Sequence, residues 1–406
     1  MKELKNIVIV CDYAFFEGGA ANVAMQSVLA FAKYTDLNVY CFAGSGEPCD
    51  QLKNSRANVI ALKMPDLLGN KNKIDAFMKG IYNKKAGEEL KKLLSKLDRE
   101  ETIVHIHTWT KVLSSSVFKA CEEMKFKTFL TIHEYFLACP NGACYNYVEQ
   151  KICELHPLSV ACIKYNCDAR NYPQKLWRCI RQAKQNSVIR HNDNLNYVFI
   201  SPYQEKQLLR RIPEVKHKYL VKNPINVGVR MQIEAEKNCD FVYIGRLSGE
   251  KGPQLFCKAV TRAGVHGVVI GKGILEEELK QQYQNIEFVG WQNKEQINER
   301  LKRTRALIFP TLWYEGSPLT VPEVQAHGIP CIVTDCSSAI DDIVHGENGE
   351  IVKANADEMA AAINRFKDDE YVKRLSRNTY QMFDGRRVSE KWYVDNLMKI
   401  YESEKL

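Results

Sequence analysis

The strongest constraint on the fold is an alternation of short apolar runs with longer helical patterns, repeated in both halves of the chain. Several runs in the first half have the length and β-branched content of buried strands. They are Asn6–Val10, Asn38–Phe42, Val59–Leu62, Thr102–His107 and Phe129–His133. Strands that alternate with helices in this way predict βαβ units and a parallel sheet.

The second half repeats the pattern after a break at Lys222-Asn223-Pro224, where proline restricts the residue before it. Its predicted strands are Cys239–Gly245, Gly267–Gly271, Ile286–Val289, Ala306–Phe309 and Cys331–Thr334. We therefore expect an α/β protein of two Rossmann-like, doubly wound domains, residues 1–222 and 223–388, that face each other across a cleft. Ligands of such sheets bind outside the carboxyl ends of the strands.

Charge is unevenly distributed along the 406 residues, which carry a formal net charge of +8. Residues 170–218 hold 11 basic and 3 acidic side chains. Such a surface suits a membrane, a phosphorylated lipid or nucleic acid, although a solvated face without a partner is an equally good interpretation. No apolar run is long enough to span a bilayer, and the N-terminus resembles a buried strand rather than a signal peptide. We expect a cytoplasmic protein.

Two glutamates, Glu315 and Glu323, bracket a Gly/Ser/Pro turn and the start of a helix after the strand Ala306–Phe309. Backbone N–H groups at such a turn and helix start can hold an anion such as a diphosphate. A carboxylate beside it accepts hydrogen bonds from the vicinal hydroxyls of a ribose or hexose. Taken alone, a pair at this spacing is common and more often reflects solvated helix charges, but its setting here favours a binding site.

A second motif, Gly245-Arg246-Leu247-Ser248-Gly249-Glu250-Lys251-Gly252, follows the strand ending at Ile244. It places a guanidinium and an ammonium at the carboxyl end of a strand, where both could neutralise a pyrophosphate. An ordinary surface loop is the alternative.

Together these motifs resemble those of retaining glycosyltransferases of family 4, whose two-Rossmann architecture is called GT-B. The resemblance rests on a glycine-rich first loop, Gly-Arg-Leu with a lysine five residues after the arginine, and Glu-x7-Glu followed by Gly-Ile-Pro. It covers nearly the whole chain. Further matches are Gly271-Lys272-Gly273, Phe288-Val289-Gly290-Trp291 and Glu347-Asn348-Gly349.

The resemblance implies roles for individual residues. Arg246 and Lys251 would bind the donor diphosphate and stabilise the departing nucleotide, and Glu323 would bind the ribose. The catalytic set would be His133, Glu315, Arg246 and Lys251. The donor-binding set would be Gly18, Gly19, Gly245, Arg246, Lys251, Gly290, Glu315, Gly316, Ser317, Leu319, Thr320 and Glu323. Many members have Phe-Gly at Ser317-Pro318, so one backbone contact is missing at Pro318.

His133 ends a strand of the first domain, within a segment that resembles the His-Asp/Glu-Tyr motif of family 4. A lone histidine usually fills a core, but this position and resemblance favour contact with the donor sugar or the reaction centre. His105 and His107 share one strand face. One of them could touch the acceptor, or both could be buried.

The activity implied is retaining transfer of a hexose from a UDP- or GDP-linked sugar to a hydroxyl of a polyprenyl-diphosphate-linked saccharide, in bacterial capsule or O-antigen synthesis. The first domain would bind the acceptor, the second would bind the nucleotide sugar, and a C-terminal helix in residues 389–406 would pack back on the first. The chain has no Asp-x-Asp motif, so we expect no cofactor in catalysis. One alternative is the same reaction with a soluble acceptor. A more remote alternative is a nucleic-acid-binding protein, but that interpretation leaves the motifs of the second domain unexplained.

A cysteine-rich insertion in residues 139–179 resembles one seen in bacterial surface-polysaccharide glycosyltransferases. The set Cys153, His156, Cys162 and Cys167 could close around a structural zinc ion. Reduced buried thiols are the other interpretation. The adjoining basic helix, Lys175–Arg190, carries Leu176, Trp177, Ile180 and Val188 as apolar positions. A basic helix with these apolar positions predicts a peripheral contact with the inner face of the cytoplasmic membrane. The alternative is that its apolar side chains pack on the sheet.

Overall fold

The computed structural model describes residues 3–190, 192–212, 215–225 and 227–404. Residues 405 and 406, which end the predicted C-terminal helix, lie outside this range. The described chain contains two large parallel sheets, one in each half, and both are flanked by helices. The predicted α/β architecture of two Rossmann-like domains is confirmed.

The first domain contains a seven-stranded parallel sheet in the order β3-β2-β1-β4-β5-β8-β9. The strands of this half are β1 Asn6–Tyr13, β2 Asn38–Ser45, β3 Asn58–Ala61, β4 Thr102–Ile106, β5 Lys127–Thr131, β6 Tyr145–Asn146, β7 Lys151–Ile152, β8 Leu195–Phe199 and β9 Lys218–Leu220. β1 is buried along its whole length because helices cover both faces of the sheet. β6 and β7 form a separate antiparallel hairpin in the cysteine-rich insertion.

The helices of this domain are α1 Gly18–Tyr34, α2 Asp50–Lys53, α3 Lys73–Ile81, α4 Lys84–Leu94, α5 Ser116–Glu123, α6 Val160–Lys164, α7 Tyr172–Ile189 and α8 Pro202–Leu209. The sequence pattern over residues 74–97 suggests one helix, but the structure has two. Tyr82 is extended, and the side chain of Asn83 accepts a hydrogen bond from the Ala86 amide to begin α4.

The second domain is a six-stranded parallel sheet in the order β12-β11-β10-β13-β14-β15. Its strands are β10 Asp240–Ile244, β11 Gly267–Ile270, β12 Ile286–Gly290, β13 Thr304–Phe309, β14 Cys331–Thr334 and β15 Gly349–Val352. Its helices are α9 Pro253–Ala263, α10 Glu276–Gln282, α11 Lys294–Leu301, α12 Thr320–Gln325, α13 Ala356–Arg365 and α14 Asp369–Met382.

The last helix, α15 (Glu390–Ser403), packs on the first domain rather than the second. The Tyr393 hydroxyl lies 2.7 Å from Ser27 Oγ on α1, and the Tyr401 hydroxyl bonds to His105 on β4. Both tyrosines are buried in the first domain's core. None of the described helices is long and apolar enough to cross a membrane.

Helix α7 differs from its sequence-based interpretation. Lys175 and Arg181 are buried, whereas Leu176 and Ile180 are exposed. Of the other two apolar positions noted in the sequence of this helix, Val188 is buried and Trp177 is half-buried. The apolar stripe of α7 therefore does not simply pack on the sheet.

Candidate active site

The predicted site residues meet in a cavity of about 300 Å³ between the carboxyl ends of the two sheets. Its first-domain wall comes from the loops after β1, β4 and β5, and its second-domain wall from the loops after β10 and β13. The predicted residues on these walls are Gly18, Gly19, His133, Arg246, Lys251, Glu315, Gly316, Ser317 and Leu319. The carboxyl ends of parallel strands lie at the same edge of a sheet. Site residues that are far apart in the sequence therefore lie close together there.

Lys251 and Glu315 form an ion pair at the centre of the second-domain wall. Lys251 Nζ donates to Glu315 Oε2 over 2.5 Å, and Trp313 Nε1 donates to the same oxygen over 2.7 Å. The ammonium also lies 5.0 Å from the centre of the Trp313 ring. Because the pair is mostly shielded from water, the two charges partly neutralise each other until a ligand separates them.

Arg246 extends from the same wall but remains open to solvent. Arg246 Nη2 donates to Glu250 Oε1 over 3.0 Å, and Ser248 Oγ donates to the same oxygen over 2.7 Å. Glu250 is buried, so it fixes the base of the loop. The remaining guanidinium donors can face an anion in the cleft.

Opposite these cations lies the amino end of α1. Gly18 has φ of 72°, a conformation that favours glycine, and no side chain of Glu17 caps the helix. A Cβ at Gly18 or Gly19 would meet no atom within 4 Å, so the backbone here borders open space. The free N–H groups of this long helix carry positive potential into the cavity.

The loop after β13 crosses to the first domain. Ser201 Oγ donates to the Gly316 carbonyl over 2.8 Å, and a Cβ at Gly316 would lie 2.8 Å from Gln204 Nε2. Tyr314 is 7% exposed and belongs to the first domain's core, where it lies against Tyr135 and Tyr203. The residue next to Glu315 is therefore anchored in the opposite domain.

Three histidines run from the core to the cleft. His105 is fully buried and bonds to Thr131 Oγ1 and the Tyr401 hydroxyl, so it does not reach an acceptor. His107 lines the cavity, and its Nδ1 lies 3.0 Å from His133 Nε2. Burial lowers the pKa of His133 to about 3, and burial with the neighbouring imidazoles lowers that of His107. Both rings are neutral near pH 7.

The interpretation from sequence omitted several cavity residues. Glu134 and Lys111 line the first-domain wall, and desolvation raises the pKa of Glu134. Asp12 lines it as well, and its carboxylate accepts hydrogen bonds from the amides of Lys111, Val112 and Leu113. The motif around His133 could have pointed to its neighbour Glu134, whereas Asp12 and Lys111 carry no local motif.

Glu323 and Thr320 lie in an adjoining cavity of about 380 Å³, together with Trp291 and Asn293. Desolvation raises the pKa of Glu323. The exposed Trp291 ring and a carboxylate on one wall fit a nucleoside. Gly245 follows β10 and Gly290 ends β12, on either side of β11, and neither glycine lines these two cavities.

The structure does not assemble the predicted zinc site. Within the described residues no group of three or more His, Cys, Asp or Glu side chains could hold a metal ion. Instead the buried Lys175 ammonium lies 3.4 Å from Cys162 Sγ and 3.2 Å from Cys167 Sγ. His156 contacts the carbonyl of Pro157. The ammonium thus lies beside two of the four predicted ligands, and the zinc set of Cys153, His156, Cys162 and Cys167 stays a prediction.

The second domain matches the model of a known protein family. Residues 230–382 match the family model described as glycosyl transferases group 1. The resemblance to glycosyltransferases is thereby confirmed, over the part of the chain that carries Arg246, Lys251, Glu315 and Glu323.

Two curated relatives are bacterial galactosyltransferases. The chain is 27% identical over 230 residues to the UDP-Gal:alpha-D-GlcNAc-diphosphoundecaprenol alpha-1,3-galactosyltransferase of Escherichia coli, covering 52% of this chain and 58% of that protein. It is 29% identical over 186 residues to the lipopolysaccharide 1,6-galactosyltransferase of Salmonella typhimurium, covering 42% and 51%. The matched segments thus span only about half the length of each relative.

Among solved structures, the complex of Anabaena Alr3699/HepE with UDP covers 98% of this chain and 100% of its own. The TM-score is 0.66 at 12% sequence identity. This likeness extends the GT-B fold over both domains.

Proposed function

We propose that this protein is a retaining glycosyltransferase that moves a hexose from a nucleotide diphosphate sugar to a hydroxyl of a lipid-linked saccharide in bacterial polysaccharide synthesis. One observation carries the proposal. Arg246, Lys251 and Glu315 on the second domain face Gly18 and His133 on the first across a single cavity. A nucleotide diphosphate sugar would use all of these groups, since its phosphates are anionic and its sugar carries hydroxyls.

The geometry supports a role for each of these groups. Arg246 and Lys251 bind the diphosphate and stabilise the charge that develops when the bond from the sugar C1 to the phosphate oxygen breaks. The amino end of α1 adds its dipole on the other side. Glu315, released from Lys251, accepts hydrogen bonds from the sugar hydroxyls. Glu323 accepts those of the ribose in the adjoining cavity.

His133 serves as a neutral hydrogen-bond partner. Its low pKa excludes a cationic role near neutral pH, and contact with His107 fixes the orientation of the ring. An imidazole held in this way can bind a sugar hydroxyl and keep the anomeric carbon in line with the acceptor. No residue assigned here is a metal ligand.

The substrates are proposed from the relatives. Both curated relatives are galactosyltransferases, and the name of the first specifies UDP-Gal and a diphosphoundecaprenol-linked acceptor. We accordingly propose UDP-galactose as the first donor to test and a polyprenyl-diphosphate saccharide as the acceptor class. All 14 cysteines are free thiols, which supports a reducing cytoplasm, with the enzyme held peripherally at the membrane.

The test is a transfer assay with UDP- and GDP-linked hexoses and a polyprenyl-diphosphate-linked sugar. Nucleotide release and product mass report transfer, and proton NMR of the product reports the anomeric configuration. We expect a product that keeps the donor's α configuration. Lys251→Ala should abolish transfer, while Lys258→Ala, an exposed lysine on α9, should not change it. An inverted product, or equal loss in both variants, would contradict the proposal.

A further inference from the structure

The first half of helix α7 buries two cations and exposes two aliphatic side chains, the reverse of an ordinary surface helix. Lys175 is 1% exposed and Arg181 is 8% exposed, whereas Ile180 is 53% exposed. Leu176, one turn before Ile180, is also exposed. An ordinary surface helix has the opposite arrangement, because burial of a cation costs free energy whereas burial of an aliphatic side chain is favourable.

Specific contacts hold this orientation. Lys175 reaches the sulfurs of Cys162 and Cys167 inside the insertion. Arg181 donates to the carbonyls of Thr110 and Pro140, and its guanidinium lies 5.0 Å from the centre of the Phe136 ring. Since both cations are engaged internally, α7 cannot rotate to bury Leu176 and Ile180.

The neighbouring helix α3 continues the apolar surface. Ile74 is 79% exposed and Met78 is 60% exposed, and they lie one turn apart beside the exposed Phe77. The rings of Phe77 and Trp177 are 6.1 Å apart, and Trp177 Nε1 donates to the Phe77 carbonyl over 3.1 Å. These contacts join the two helices into one surface.

We name this surface the α3–α7 face. Its exposed apolar side chains are Leu68, Ile74, Phe77, Met78, Leu176 and Ile180. Single exposed apolar residues are normal, but a cluster of this size on adjoining elements marks an interaction site.

Lysines border the apolar centre on the side of α3. Residues 66–85 contain five lysines and two aspartates. Asp75 pairs with Lys79, and Asp66 accepts a hydrogen bond from the Tyr13 hydroxyl, so both acids are already engaged. Lys73 donates to two carbonyls of the loop before α3, which places its charge at the rim. An apolar centre with a lysine rim is complementary to an anionic lipid surface.

We propose that the α3–α7 face docks on a bilayer containing anionic lipids, with its apolar side chains among the headgroups and its lysines on the phosphates. The inner side of α7 bonds to the loop that borders the cavity, through Arg181 to Thr110 and through Gln185 to Trp109. Docking therefore sets the cleft beside the membrane. The inference deepens the proposed function and rests on it only in the choice of a lipid-linked acceptor.

The test uses the full chain and vesicles of phosphatidylcholine, with and without phosphatidylglycerol. We expect flotation with the anionic vesicles and loss of binding at high salt. The double variant Ile74→Ser/Met78→Ser should bind at least about tenfold more weakly, or about 1.4 kcal/mol. The matched control is Val229→Ser/Ile274→Ser, which alters two aliphatic residues of the second domain that are even more exposed.

Three results would overturn the inference. They are no binding by the wild type, equal binding by the double variant and the wild type, and a concentration-dependent dimer that the double variant abolishes. The last would assign the face to a second copy of the chain. Thermal stabilisation by any of UDP, GDP, ADP and TDP, measured on the same variants, separates the two proposals. If it persists while vesicle binding fails, only the docking inference is wrong; if it fails while vesicles bind, the proposed function is wrong.

Discussion

Replacement of Glu315 by glutamine should strengthen the binding of UDP, although Glu315 is itself a predicted active-site residue. In the free protein its carboxylate holds the Lys251 ammonium at 2.5 Å, and the cation must leave this partner to bind a diphosphate. UDP has no sugar to engage Glu315 in return. The glutamine variant keeps the shape and the acceptor for Trp313 Nε1 but removes the competing charge.

The size of the effect follows from the shielding of the pair. The two side chains are 20% and 16% exposed, so their attraction exceeds that of a surface ion pair, worth up to about 1 kcal/mol. Desolvation of both ions offsets much of the stronger Coulomb term. We expect a net gain of roughly 1 kcal/mol in UDP binding, or about fivefold in Kd.

Isothermal titration calorimetry with UDP checks this expectation at neutral pH and at two ionic strengths. The control is Glu347→Gln, which removes an exposed carboxylate elsewhere in the same domain. UDP should bind more tightly to Glu315→Gln and equally to the control, while sugar transfer by Glu315→Gln falls. Weaker UDP binding in Glu315→Gln would refute the view that Glu315 masks the diphosphate site.

Three further predictions concern stability. Tyr314→Ala should lower the free energy of unfolding by roughly 3 kcal/mol in chemical denaturation, because it empties an aromatic site in the first domain's core; a change near zero would mean that the loop is not anchored there. Burial lowers the pKa of His105 to about 3, so as the pH falls below about 6.5 the unfolded chain takes up a proton that the folded chain does not. Stability should therefore fall by about 1.4 kcal/mol per pH unit for this group, and His105→Gln should show a slope smaller by that amount; an unchanged slope would contradict the assignment. Chelation by EDTA should leave the melting temperature of the protein unchanged, and a marked decrease in this temperature would favour zinc in the cysteine-rich insertion.

The sequence predicted the fold because periodicity and local motifs carry it. Buried parallel strands form continuous apolar runs, and β1 is an example with every residue buried. The Arg246 and Lys251 loop and the glutamates at 315 and 323 were likewise visible, since each motif follows a strand. The structure brings Arg246, Lys251 and Glu315 into one cavity and leaves Glu323 in the next.

What the sequence could not predict depends on contacts between distant elements. The burial of Lys175 requires the sulfurs of the insertion, and α7 alone gives no sign of them. Anchoring of Tyr314 in the first domain's core likewise depends on the approach of the two domains. In both cases contacts with distant elements, rather than the local sequence pattern, determine where the side chain lies.

The central claim is that Arg246 and Lys251 form a site for a nucleoside diphosphate. Thermal stabilisation by UDP, GDP, ADP and TDP tests it most directly in the wild type and in Lys251→Ala. At about 100 times its dissociation constant, a bound nucleotide should add roughly 2.7 kcal/mol of stability. We predict a shift in the melting temperature with one base and a much smaller shift in the variant. No shift with any nucleotide, or an equal shift in both proteins, would contradict the account.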